Sequence, residues 1–152
     1  MSRAHHGKYT PKNPEKYRGD ASHIEFRSSW ERTFMKWCDM TESVKKWSSE
    51  EMCIVYHDPV KNKKRRYFPD FIIQVVEKDG LIRTHMIEVK PHAEVVGPDP
   101  NPKRKTKSWA YAVRMYVTNM AKWEAARKFC KKKGWEFKIV TEYELGLKKR
   151  PK

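Results

Sequence analysis

The chain has 152 residues, enough for one domain with a sizeable core, and sets 34 Lys and Arg against 19 Asp and Glu for a net charge of +15. A surface that basic meets a polyanion, nucleic acid before an anionic membrane, and no apolar run approaches the length of a membrane span. Cys38, Cys53 and Cys130 are odd in number and scattered, which excludes a zinc-ligand spacing and a disulfide framework and fits a reducing compartment.

The first nine residues, M-S-R-A-H-H-G-K-Y, lack the apolar stretch of a secretory signal. Residues 1–27 are polar, carry Pro11, Pro14 and Gly19, and are expected to form an extended basic arm, with I-E-F-R at 24–27 leading into a helix. S-S-W-E at 28–31 fits a capping box, in which Ser28 takes a free helix N–H and Glu31 reaches back to the cap. Trp30, Phe34 and Trp37 then fall on one helical stripe, and the helix should end near Asp39 to Thr41. M-C-I-V-Y-H at 52–57 is a predicted strand and K-N-K-K-R-R at 61–66 a predicted basic loop. A strand over 67–76 contains Pro69 near its start, where a missing N–H is tolerated. The E-K-D-G turn at 77–80 returns the chain into a strand over 81–90. Residues 91–107, with four prolines, read as a loop. Ser108 is placed to cap a long helix over 109–133, with Gly134 just past its end. A strand at 135–140 and a short helix opened by T-E-Y-E at 141–144 complete an α/β domain on a small mixed sheet, residues 28–147, with a basic tail at 148–152. Trp109, Trp123 and Trp135 are assigned to the core, as is His85; the histidines show no metal spacing.

The chemistry lies in two short stretches, Pro69-Asp70 and I-E-V-K at 87–90. Side chains alternate faces along a strand, so Glu88 and Lys90 share one face while Ile87 and Val89 share the other. The same alternation sets Asp70 opposite Phe71, Ile73 and Val75. A tight turn between the two strands makes them antiparallel neighbours and brings Asp70 beside Glu88. Two carboxylates held together repel unless a cation joins them. Magnesium, with its preference for oxygen ligands, retained waters and phosphate, is the natural one. Lys90 on that face can orient a water or stabilise developing negative charge, so the implied reaction is metal-assisted hydrolysis of a phosphodiester. Taken singly, a proline-aspartate is commonly a turn and an E-x-K a solvated face. Together they require hairpin geometry, strand phase and basic charge to agree.

Pro69-Asp70 followed by Glu88-x-Lys90 resembles the core of the PD-(D/E)XK nucleases. The resemblance implies a restriction-endonuclease-like fold, Mg²⁺ (Mn²⁺ substituting) at Asp70 and Glu88, Lys90 as catalytic lysine, and Glu31 as a further ligand, directly or through water. F-R-S-S-W-E-R-T-F, R-R-Y-F-P-D-F, M-I-E-V-K-P and W-E-A-A-R-K-F-C-K-K-K-G-W-E-F-K-I-V-T-E resemble the transposon end-cutting branch. That branch can carry glutamine where Glu88 stands. With the arm Y-T-P-K-N-P-E-K-Y-R-G-D, most of the chain is similar to head completion nucleases of contractile-tailed bacteriophages. This implies a monomeric nuclease on double-stranded DNA at the phage head, portal or neck, in the infected host's cytoplasm, before tail joining. The rival readings are a DNA-binding head plug without required cleavage, a dimeric junction resolvase and a transposase-like end-cutter. Glu31 cannot fully serve both the Ser28 N–H and the sheet, and the site role is favoured.

The remaining cations are assigned to phosphate-backbone contacts, which give affinity without sequence preference. They are Lys61, Lys63, Lys64, Arg65 and Arg66 before the Asp70 strand, Lys103, Arg104, Lys105 and Lys107 after the Lys90 strand, and Arg27 and Arg32 at the first helix. Both loops are expected to open near the active face.

Overall fold

The computed structural model describes residues 6–152, so the start of the arm and most of the stretch inspected for a secretory signal lie outside it. Strand β1 (Gly7–Lys8) pairs with β2 (Glu25–Phe26), and helix α1 (Ser29–Met40) follows, capped where Ser28 Oγ accepts from Glu31 N–H at 3.2 Å. Then come β3 (Val44–Ser49), β4 (Ile54–Asp58), β5 (Lys63–Tyr67), β6 (Phe71–Val76) and β7 (Ile82–Val89). Helices α2 (His92–Val96) and α3 (Lys107–Lys133) and strand β8 (Glu136–Val140) close the chain. The central sheet runs β3-β6-β7-β8, antiparallel except for the parallel β7–β8 pair; β4 and β5 form a separate hairpin. This is the expected α/β architecture on a mixed sheet. Among the described residues no helix is long and apolar enough to cross a membrane.

Strand alternation sends side chains to two cores. Phe71, Ile73, Ile87 and Val89 pack with Phe34, Met35 and Cys38 of α1. Met86 turns the other way, onto Trp123, Ala126 and Cys130 of α3 and onto Ile54, Tyr56 and Tyr67 of the hairpin. Each large apolar side chain buried in this way contributes about 1.5–3 kcal/mol. The face carrying Glu88 is therefore covered by α3, not open to solvent as a one-sided sheet would leave it.

Several elements differ from the sequence reading, each for a local reason. The V-K-K-W-S-S segment is a strand with no period of two, because a bulge between Val44 and Lys46 buries both Val44 and Trp47. The basic loop at 61–66 is mostly β5, four exposed cations held by the ladder to β4. Its turn is tied by Asp58 Oδ1 accepting from Val60 N–H at 2.9 Å, with Asn62 left-handed at φ 50°. The single strand expected over 67–76 is broken at Phe68–Asp70. Pro69 cannot donate to a ladder, and the chain passes there from the hairpin to the central sheet. The loop over 91–107 begins with α2, and α3 starts at Lys107 because Thr106, not Ser108, accepts from Trp109 N–H at 3.0 Å. T-E-Y-E forms turns rather than a helix. Glu144 Oε1 accepts from both Thr141 N–H and Thr141 Oγ1 at 2.8 Å, but left-handed Gly146 follows at once. Trp109 is only half-buried and spends its indole N–H on Asp99 O at 2.7 Å.

The arm is built into the domain. Tyr17, Ile24 and Phe26 are buried in the α1-side core, so packing extends well before residue 28. Asp39, near the end of α1, fastens it by accepting from Tyr9 Oη at 2.7 Å, Lys12 N–H at 2.8 Å and Asn13 N–H at 2.9 Å. Burial raises the Asp39 carboxyl pKa, but these bonds outweigh it and hold the pKa below the usual range. The clasp is thus present at neutral pH and is lost as pH falls through that lowered value.

Candidate active site

The β6–β7 register pairs Phe71 with Ile87, and one further step sets Asp70 opposite Glu88. Asp70 Oδ2 accepts from Val89 N–H at 2.8 Å, which ties the Pro69-Asp70 corner to the β7 end. Glu88 is 6% exposed and accepts from the Tyr67 hydroxyl at 2.7 Å. Lys90 Nζ lies 3.9 Å from Glu88 Oε2. Three of the four residues singled out in the sequence therefore come together: Asp70 and Glu88 line a cleft of about 510 Å³ with Arg27, Glu50, Arg66, Phe68 and Lys122, and Lys90 reaches Glu88 from outside that lining. An apolar hollow of about 410 Å³ lies on the opposite sheet face, against α1, and contains none of these groups.

Electrostatics mark the pair. Burial, then the charges of Glu88 and Glu31, push the Asp70 carboxyl well above its usual range. Burial also raises Glu88, opposed by the Tyr67 hydroxyl and by Lys90. Burial lowers the Lys122 ammonium, which sits 5.7 Å over the Tyr67 ring beside Glu88. Among the described residues no three His, Cys, Asp or Glu side chains are gathered into a ready ligand set. Two neighbouring carboxylates suit magnesium, which binds through one or two of them and keeps waters. They do not make a structural zinc site, which takes four nitrogen or sulfur ligands.

Glu31 sits at the helix cap, outside the cleft lining but near enough for its charge to act on Asp70. Its Oε1 accepts from Arg27 N–H at 3.4 Å rather than from Ser28 N–H, and its Oε2 from Ser28 Oγ at 3.5 Å. Both are at the limit of a hydrogen bond. Burial, with Glu50 and Glu88 adding to it, raises the Glu31 carboxyl pKa. Glu31→Gln tests the two roles, since glutamine still serves a cap. The expected outcome is a fall in cleavage of at least about tenfold, with a melting temperature within about 2 °C of wild type.

The assigned cations divide. Arg27 and Arg66 line the cleft, Arg27 pairing with Glu50 at 2.8 Å. Arg65 is 3.2 Å from buried Asp58 and lines an adjoining groove with Lys61. Lys63 and Lys64 are exposed along β5, and Arg32 stacks 5.8 Å over Phe26. Lys103, Arg104 and Lys105 precede α3 and are exposed, and Lys107 starts it, about 22 Å along the helix from Lys122. That run does not converge on the cleft as the hairpin argument expected, because α3 carries its own start away.

This chain matches the sequence profile of the family described as "TnsA-like endonuclease N terminal" over residues 41–142, most of its length. This chain belongs to the TnsA-like endonuclease family. The matched span holds Asp70, Glu88, Lys90 and Lys122, and begins after α1 and Glu31. The head completion nuclease of Enterobacteria phage T4 is 37% identical over 143 residues, spanning 91% of this chain and 92% of that protein.

Sequence reasoning missed Glu50, Tyr67 and Lys122. Lys122 directly precedes the buried Trp123 on the sheet-facing side of α3, a lysine beside an apolar stripe, and that was the available signal. Tyr67 was hidden by reading 67–76 as one strand. Glu50 carries no sequence signal. It is left-handed at φ 53°, a conformation that costs a non-glycine residue about 1–2 kcal/mol, and donates its N–H to Asp70 O at 3.1 Å.

Proposed function

We propose that the protein is a Mg²⁺-dependent deoxyribonuclease of phage head completion. It hydrolyses DNA phosphodiesters during head maturation, before tail joining, as a monomer in the infected host's cytoplasm or at the head and neck. The observation that carries this reading is the juxtaposition of Asp70 and Glu88 in a cation-lined cleft, with Lys90 held against Glu88. Likeness to a head completion nuclease supports the biological setting, and portal or neck proteins are the partners it implies. Magnesium held by Asp70 and Glu88, with Mn²⁺ able to substitute, supplies charge neutralisation at the phosphate. The protein does the rest. Tyr67 fixes the Glu88 carboxylate through its hydroxyl. Lys90 orients the attacking water and faces the negative charge that grows as the new P–O bond forms and the bond to deoxyribose breaks. Arg27, Arg66 and Lys122 meet neighbouring phosphates.

The test is purified protein on supercoiled plasmid with Mg²⁺ or Mn²⁺, beside an EDTA control. Nicked or linear product with either metal and none in EDTA is expected. Binding to supercoiled, linear and branched DNA without cleavage under any of these conditions would favour the structural plug instead.

A further inference from the structure

We infer that the groove between the β4–β5 hairpin and α3 holds single-stranded DNA, so that this nuclease acts where bases beside the cut phosphate are unpaired. The inference rests on the nuclease reading and names its substrate class. The groove is continuous with the cleft, because Arg66 and Lys122 line both. From there it runs past Arg114 to Lys61 and Tyr111. Its one acid, Asp58, is engaged by Arg65 and by the Val60 N–H, leaving the other cations facing the groove.

Cations alone would serve a duplex, whose backbone is recognised by charge. The exposed aromatics point elsewhere. Phe68, beside Asp70 in the cleft, is 44% exposed, with the Arg66 guanidinium 5.8 Å from its ring centre. Tyr111 in the groove is 59% exposed. Aromatic faces set between cations along a channel are the arrangement on which successive unpaired bases stack. Tyr111 and Lys122 lie about 16 Å apart along α3, room for a few nucleotides. A duplex end with a short single-stranded tail would thus place its tail in the groove and its junction over Asp70 and Glu88.

The test measures binding in EDTA, where no cleavage intervenes, by fluorescence anisotropy. The probes are a labelled single-stranded oligonucleotide, the blunt duplex of the same sequence, and that duplex with a single-stranded tail. Single-stranded and tailed probes are expected to bind at least about tenfold tighter than the blunt duplex. Phe68→Ala and Tyr111→Ala should each weaken single-strand binding by about tenfold, and by at least about fivefold more than they weaken duplex binding, with Phe68→Trp and Tyr111→Trp restoring it. A 2-aminopurine base in the strand should be quenched by wild type and not by the alanine variants. Equal affinity for blunt duplex and single strand, or equal losses on both, overturns the inference while leaving the nuclease reading intact. Single-strand preference in a protein that never cuts overturns the nuclease reading and leaves the groove assignment standing.

Discussion

Asp70→Asn is expected to lower cleavage by about 10³-fold or more and, in EDTA, to raise the melting temperature. The two effects have one cause. Asp70 sits opposite Glu88, and burial, then the charges of Glu88 and Glu31, disfavour its ionised form. A folded protein holding that arrangement without a cation is less stable than one in which a carboxylate has become a neutral amide. The amide oxygen can still accept from Val89 N–H, so the corner linking the β6 start to the β7 end stays tied. Each kcal/mol of relieved repulsion should appear as about 2–4 °C in a chain of this size. Glu88 then keeps Lys90 and the Tyr67 hydroxyl as its partners and ionises more readily. Added Mg²⁺ should raise the melting temperature of wild type and leave Asp70→Asn nearly unmoved, because only wild type retains both carboxylates proposed to hold it. Thermal denaturation with and without EDTA, run beside the plasmid assay, reads all three effects. A variant that cuts at the wild-type rate, or gains as much from Mg²⁺ as wild type does, would remove Asp70 from the site.

What the sequence disclosed of this site follows from how local its geometry is. Asp70 and Glu88 are brought together by one turn and one hairpin register, both written in E-K-D-G and in the alternation of Ile87, Glu88, Val89 and Lys90. The last strand, the long helix and the mixed sheet were legible as continuous segments, although the parallel pairing of β8 with β7 was not read from them. The rest depends on contacts distant in sequence. Tyr67 reaches Glu88 only because Pro69 breaks the strand and leaves Tyr67 on the hairpin, in the core shared with α3. Lys122 reaches the cleft because α3 crosses the Glu88 face, and nothing in the helix's own spacing says which strand it will cover. Strand β3 was concealed by its bulge, and β5 by four charged residues whose strand state comes from pairing rather than from burial. The sequence left Glu31 between a cap and a site role and favoured the site; Ser28 does cap the helix, and the Glu31 carboxylate bonds the N–H one residue before the one a capping box prescribes.

Lys90 is the residue expected to separate catalysis from binding. Lys90→Met is expected to reduce single-turnover cleavage by about 10²–10³-fold while changing DNA affinity in EDTA by less than about threefold. The reason is placement. Lys90 Nζ is held 3.9 Å from Glu88 Oε2 and does not line the cleft, whereas Arg27, Arg66 and Lys122 line it and Arg114 lines the groove beyond. A cation held against a proposed ligand carboxylate would face the phosphate at which charge develops; cations along the cleft lining would face phosphates that do not react. Lys122→Met should therefore show the reverse balance, weakening binding by about three- to tenfold at low salt and cleavage largely in proportion. Lys90→Arg keeps the charge but replaces a compact ammonium with a planar fork that cannot occupy the same gap beside Glu88. It should recover only part of the lost rate. Anisotropy titrations in EDTA and single-turnover cleavage in Mg²⁺, made on the same preparations, give both quantities for all three variants. If Lys90→Met and Lys122→Met lose rate and affinity in equal proportion, Lys90 is one more backbone contact, and the charge that develops at the phosphate is met by another group.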